Sequence, residues 1–173
     1  TDIKEHGKNC LIYLNTNGGA RNKEFWRSLG KMGIRIAFAI DGLEDTNHLY
    51  RRNVKWDKLI ANVEAFISAG GKADWRYLIF KHNEHQIDEA KQLAKDMGFR
   101  AFKTKATGRF DHNPNTGLEP PTKHSFEMKD KEFACHSEEE KCVYLSAEGL
   151  WYPCCVTHVS YARKDDQWGD PIV

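Results

Sequence analysis

The order in which its periodicities follow one another constrains this chain more than any other feature. "CLIYLNTNGG" is an apolar run that turns on Asn17-Gly18-Gly19, which predicts a strand and a glycine-rich loop. "NKEFWRSLGKMG" places Phe25, Leu29 and Met32 at helical spacing, with Gly33 as the stop. "IRIAFAIDG" reads as a second strand ending at Asp41-Gly42. The stretch "KWDKLIANVEAFISAGG" is the clearest helix: Trp56, Leu59, Ile60, Val63, Phe66 and Ile67 form one apolar stripe closed by Gly70 and Gly71. "ADWRYLIFKHN" predicts a third strand. "EHQIDEAKQLAKDMG" predicts a helix with Ile87, Ala90, Ala94 and Met97 inward, and "FRAFKTKATGRF" a fourth strand. Strands that alternate with helices in this way form a parallel sheet, because each crossover helix carries the chain back to the end of the sheet where the previous strand began.

After Phe110 the character changes. "DHNPNTGLEPPTKHS" is rich in proline, asparagine and glycine and reads as a linker. "CVYLSAEGLWYPCC" then predicts a short hairpin turning at Glu148-Gly149. The expected organisation is a main α/β unit over residues 1–110, a linker over 111–134 and a cysteine-bearing appendage over 135–173. With 173 residues the chain can bury one substantial core. Its 26 basic and 25 acidic residues leave a net charge of +1, which argues against bulk attraction to nucleic acid or to an anionic membrane. No apolar run approaches the roughly 18 residues of a membrane helix, and no signal peptide is visible, so a cytoplasmic protein is expected.

Parity within the strands separates two kinds of face. Ile34, Ile36, Phe38 and Ile40 share one, suited to packing against helices. Ala37, Ala39 and Asp41 share the other, where small residues ending in a carboxylate suit the inside of a curved sheet that keeps space for a ligand. In the fourth strand Phe102, Thr104 and Ala106 oppose Lys103 and Lys105. Two lysines on one face are costly unless that face meets water or an anion. Asp41 also serves simply as a turn residue before Gly42, and the lysines equally mark a solvated edge strand. Asn17, Asp41, Asn83 and the lysines nevertheless gather towards strand C-terminal ends, the rim where α/β sheets bind ligands.

Five cysteines are an odd number, and four of them, Cys135, Cys142, Cys154 and Cys155, lie within 135–155. That clustering points to reduced thiols or to metal rather than to a disulfide scaffold. A hairpin between Cys135 and Cys154 would bring thiolates together as ligands for zinc or an iron–sulfur cluster, with Cys142 and Cys155 as further ligands. Inert buried thiols are the alternative.

Four stretches taken in order, "LNTNGG", "FAIDGLEDTNHLYRR", "FKHNEHQIDEAKQLAKDMGF" and "LSAEGLWYPCC", resemble radical S-adenosylmethionine enzymes, more narrowly those with a C-terminal SPASM or twitch-type auxiliary cluster region. The resemblance runs from about Cys10 to Cys155. It implies a partial (β/α) barrel to which this chain supplies about four later parallel strands, plus a small C-terminal β-hairpin region. It implies that Asn17, Gly18 and Asp41 lie near S-adenosylmethionine, with Asn83 a further contact, and that Lys103, Lys105 and Arg109 line the anionic or substrate side. Ala39 stands where many relatives carry serine. The spacing of Cys135, Gly149 and Cys154 matches the opening of the auxiliary cluster motif.

One departure is large. The C-x3-C-x2-C triad that in this family holds the radical-generating [4Fe–4S] cluster is nowhere in the sequence. The chain therefore reads as the C-terminal part of an enzyme whose intact form abstracts hydrogen from a peptide or small-molecule substrate using S-adenosylmethionine and a [4Fe–4S] cluster. By itself it should generate no radical, and whether it binds either cofactor alone stays open. The competing reading is a non-redox α/β binding domain with a small structural zinc site. A half-barrel would expose an apolar sheet edge, which makes homodimerisation or marginal stability an expectation.

Overall fold

A computed structural model describes residues 11–107, 117–124, 142–146 and 150–153. The chain divides into two compact units, Thr1–Glu127 and Met128–Val173. In the first, the elements run β1 (Tyr13–Thr16), α1 (Lys23–Lys31), β2 (Arg35–Ala39), α2 (Asn47–Tyr50), α3 (Trp56–Ser68), β3 (Lys72–Ile79), a 3-10 turn (Glu84–Gln86), α4 (Ile87–Asp96) and β4 (Ala101–Ala106). The four strands form one sheet in the order β1-β2-β3-β4, every pair parallel. The predicted alternation is thus observed. Among the described residues the sheet is open, with β1 and β4 at its edges.

A single core explains which face the helices take. Ile36, Phe38 and Ile40 of β2 and its end, with Trp75 and Tyr77 of β3, pack with Trp26 of α1, Leu59, Val63 and Phe66 of α3, and Ala90 and Ala94 of α4. All three long helices therefore lie on one side of the sheet. The other side carries Tyr13, Asn15, Arg35, Ala37, Ala39, Asp74, Arg76, Leu78, Lys103 and Lys105 by strand parity. Of these, Tyr13, Asn15, Arg76, Lys103 and Lys105 are exposed. Burying a ring such as Phe66 or Trp75 contributes roughly 2–3 kcal/mol, so the core row decides the fold and leaves the opposite row free for other uses.

The helix α1 departs from the periodicity by one position. Phe25 is 40% exposed, and Trp26 is the buried ring. Its indole packs 5.4 Å from Phe38 and donates to the Ala20 carbonyl at 2.9 Å. Asn22 caps the helix by accepting from the Phe25 N–H at 3.1 Å. Gly30 then faces α3 so closely that a Cβ there would overlap the Phe66 carbonyl oxygen. A helix contact made through glycine leaves no apolar signal in the sequence, which is why the stripe Phe25-Leu29-Met32 misplaces the buried face.

Residues 117–124, within the stretch expected as a linker, are fastened to the first unit. The Lys81 N–H donates to the Glu119 carbonyl at 3.1 Å, and the Glu84 carboxylate accepts from the Thr122 and Lys123 N–H groups at 2.8 and 3.1 Å. In the second unit β5 (Tyr144–Leu145) and β6 (Trp151–Tyr152) form the expected antiparallel hairpin, with Tyr144 opposite Tyr152. Its turn at 147–149 lies outside the described residues. Among the described residues no helix is long and apolar enough to cross a membrane.

Candidate functional site at the C-terminal rim of the sheet

The rim is organised by Asp41, the residue just beyond β2. In a parallel ladder the Leu78 N–H would bond the Ile40 carbonyl, since the Ile40 N–H already bonds Arg76 O at 3.0 Å. Instead the Trp75 indole N–H takes Ile40 O at 2.8 Å, and the Leu78 N–H turns to Asp41 Oδ1 at 2.6 Å. The carboxylate thus replaces a backbone carbonyl where β2 and β3 part. Asp41 Oδ2 accepts from Arg51 Nε at 2.6 Å, just past α2. The Asp41 N–H donates to Asn47 Oδ1 at 2.9 Å. All four polar functions of this residue have partners, and its side chain is fully buried.

Asn83 completes the seam. Its Nδ2 donates to Asp41 O at 2.8 Å and to Leu78 O at 3.0 Å, while its Oδ1 accepts from the Phe80 N–H at 2.8 Å. The buried Tyr77 hydroxyl donates to Asn83 O at 2.8 Å. Gln86 ties the loop after Asp41 down: Oε1 accepts from the Leu43 N–H at 3.2 Å and from the Thr46 hydroxyl, and Nε2 donates to Asp45 at 2.7 Å. The structure therefore brings the expected contacts Asp41 and Asn83 together, but it gives both a supporting place within the rim.

Three groups of the rim, Asp41, Tyr77 and His82, are perturbed in the same sense, whereas Glu84 and the exposed Lys81 shift toward their charged forms. Burial pushes the Asp41 carboxyl above its ordinary range against the opposing Arg51 charge and the Leu78 and Arg51 hydrogen bonds. Burial, reinforced by the negative charges of Asp41 and Asp45, raises the Tyr77 phenol. Burial and then the neighbouring His85 and His48 lower the His82 imidazole. Each of these three shifts favours the neutral form. His82 stacks on Phe80 with ring centroids 5.2 Å apart, and its Nε2 has no partner; Asn47 Nδ2 is the other buried orphan among the described residues.

The other expected contacts lie elsewhere. Gly18, at φ +69°, is buried at the end of β1: a Cβ there would stand 2.5 Å from Leu59 Cδ1, so only glycine fits. Its carbonyl accepts from Asn62 Nδ2 at 2.9 Å. Asn17 is exposed, and its Oδ1 accepts from the Gly19 N–H at 3.1 Å. Lys103 and Lys105 project from the uncovered face of β4, without an ion pair among the described residues. Cys142 is an exposed free thiol. Cys135, Cys154 and Cys155 lie outside the described residues, as does Arg109. Among the described residues no three His, Cys, Asp or Glu side chains are grouped to hold a metal ion.

Two further participants stand beside Asp41, one hidden from the sequence and one partly legible in it. Arg51 is the partner of Asp41, and only the polar run "NHLYRR" hints at it. Arg76 is legible by parity, since Asp74 and Arg76 oppose Trp75 and Tyr77 on β3. Its Nη2 donates to the Tyr13 hydroxyl at 3.0 Å. Because β2 lies between β1 and β3, this side chain crosses the floor formed by Ala37 and Ala39. Chemically the arrangement offers a wall: exposed cations and an aromatic hydroxyl over small residues, bounded by a rim whose carboxylate is already engaged. No protein-family model matches this chain, and no curated protein matches it.

Proposed function

We propose that this chain forms later strands of a radical S-adenosylmethionine barrel, and that its uncovered sheet face is the wall turned toward adenosyl group and substrate. The observation that supports this reading is the combination of sequential parallel order with the long helices, among the described residues, on one side of the sheet. A doubly wound sheet reverses its strand order and is covered on both faces; a barrel wall runs in sequence and is covered on one.

The residues fit the proposed ligands unequally. Three closely spaced thiolates are needed for a cluster that keeps one iron open, and the sequence has no such triad. The radical-generating cluster does not fit this chain, and no radical step is assigned to it. S-adenosylmethionine, which would supply hydrogen-abstracting chemistry when paired with such a cluster, would meet the exposed Asn17 amide and the half-buried Ala39, with Ala37 buried beneath. Gly18 gives the β1 loop its turn. Asp41 and Asn83 hold the rim in shape, and Arg51 neutralises the buried carboxylate.

Reading the coding sequence upstream of Thr1 tests the family directly. An in-frame cysteine triad within about two strand–helix units is the expected result; an in-frame stop codon or an unrelated domain overturns it. Anaerobic loading of the full chain with iron and sulfide, against zinc, tests the hairpin cysteines. Bound iron and sulfide support an auxiliary cluster, whereas zinc alone supports the non-redox binding domain.

A further inference from the structure

The uncovered face is far more basic than the chain as a whole. Arg35 and Arg100 are both spent on Asp74. Asp41 is turned into the rim against Arg51. That leaves Arg76, Lys103 and Lys105 exposed with no carboxylate partner among the described residues, in a chain whose net charge is only +1.

Their positions are fixed by backbone register. Arg76 stands directly opposite Lys103, and Lys105 follows two residues along β4, opposite Leu78. Neighbouring strands lie about 4.8 Å apart and two residues span about 6.6 Å, so three cations rise from one small patch. Like charges directly opposite each other destabilise a sheet. Among the described residues no carboxylate pairs with any of the three, and the repulsion is eased only where the Arg76 guanidinium leans across β2 to the Tyr13 hydroxyl. On the β2 side of the patch stand the buried Ala37 and the half-buried Ala39, side chains small enough for Arg76 to cross, and the Tyr13 hydroxyl orients the Arg76 guanidinium by accepting its Nη2 hydrogen bond.

From this geometry we propose that the patch is a binding site for the phosphate group of a small molecule. From the β2 side the Arg76 guanidinium, turned toward Tyr13, offers a planar fork to two oxygens, and the long Lys103 and Lys105 side chains reach over β3 to the same anion from β4. Three cations match a compact dianion better than a single carboxylate. A polymer backbone is a poorer match: the chain is nearly neutral overall, and Tyr13 is the sole aromatic of this face among the described residues. The inference rests on the reading of this face as a ligand wall, and it names the class of substrate that the wall accepts.

The experiment is a titration of the full chain with inorganic phosphate at constant ionic strength, followed by calorimetry and by amide NMR. Saturable binding at one site, with shifts confined to the strands around Arg76, Lys103 and Lys105, is the expected result. K103Q/K105Q should weaken binding by about tenfold or more while raising Tm by about 1–3 °C, because it removes both ligand contacts and charge repulsion. K58Q, on the exposed side of α3, should change neither. Non-saturable shifts spread over all lysines, unchanged binding by K103Q/K105Q, or tighter binding of a single-stranded oligonucleotide than of phosphate would each overturn the proposal. Phosphate binding needs neither iron nor S-adenosylmethionine. A negative result therefore leaves the family reading intact, and an upstream region without a cysteine triad leaves the anion site intact.

Discussion

The two ends of the sheet each bury a carboxylate, and they treat it in opposite ways. Near the start of β3, Asp74 is fully buried. Arg35 Nε donates to its Oδ2 at 2.9 Å, and Arg100 donates to both oxygens at 2.8 and 2.9 Å. Burial alone would raise its carboxyl, but the hydrogen bonds and charges of Arg100 and Arg35 prevail and hold it below the ordinary value. At the C-terminal rim, Asp41 is likewise sealed from solvent but lies deeper in the protein, with one arginine and one backbone N–H, and burial prevails. A second guanidinium and a shallower position together tip the balance at Asp74, and neither is present at Asp41. The start of the sheet is a clasp that favours charge. At the rim, Asp41, Tyr77 and His82 are all displaced toward their neutral forms, the pattern that clefts impose on functional groups.

The largest break in this comparison should come from D74A. Removing the shared anion leaves two arginines facing each other, and loss of one partner of a buried pair costs about 3 kcal/mol, here moderated because both arginines reach solvent. Urea denaturation measures it. N83A should come next, at about 2 kcal/mol, since it leaves the Phe80 N–H and the Asp41 and Leu78 carbonyls short of partners.

The pH dependence of two asparagine variants sharpens the contrast. Asp74 has a depressed folded pKa, so it contributes stability above its ordinary value of 3.8 that is lost as pH falls through the folded value. The penalty of D74N should therefore grow as pH rises towards 3.8 and then level off. Asp41 has a raised folded pKa, so ionisation removes stability as pH rises from 3.8 through the folded value. The penalty of D41N, about 1 kcal/mol in acid, should shrink over that upper window. Stability curves for both variants between roughly pH 3 and 6 decide the matter; parallel slopes would show that the two ends do not differ. The smallest effect belongs to N17A. Its bond to Gly19 is exposed, so stability should change by less than about 0.5 kcal/mol, while S-adenosylmethionine binding weakens.

Much of the fold is legible in the sequence because period-2 and period-3.6 patterns are local. The strands, the long helices and the hairpin all fall where those patterns change. The order of the sheet follows from short crossovers. What is not legible is the use of side chains at strand ends. Asp41 reads as a group facing a hollow, yet its Oδ1 meets an N–H thirty-seven residues away, and Asn83 reaches back forty-two residues to Asp41 O. Such partners are set by the assembled sheet, not by neighbours in the chain. The Arg76–Tyr13 bridge is half legible: parity gives the face, but only the alanine floor between them permits the crossing. Trp26 shows the same limit in a helix, where Gly30 rather than an apolar stripe fixes the contact with α3.

The most direct test of the central claim is amide NMR mapping of S-adenosylmethionine on the full chain. The account predicts amide shifts at Asn17, Ala37 and Ala39, on the face that no long helix covers among the described residues, with the solvent side of α1 and α3 unchanged. Shifts confined to the helical side, or none at saturating cofactor, would contradict it.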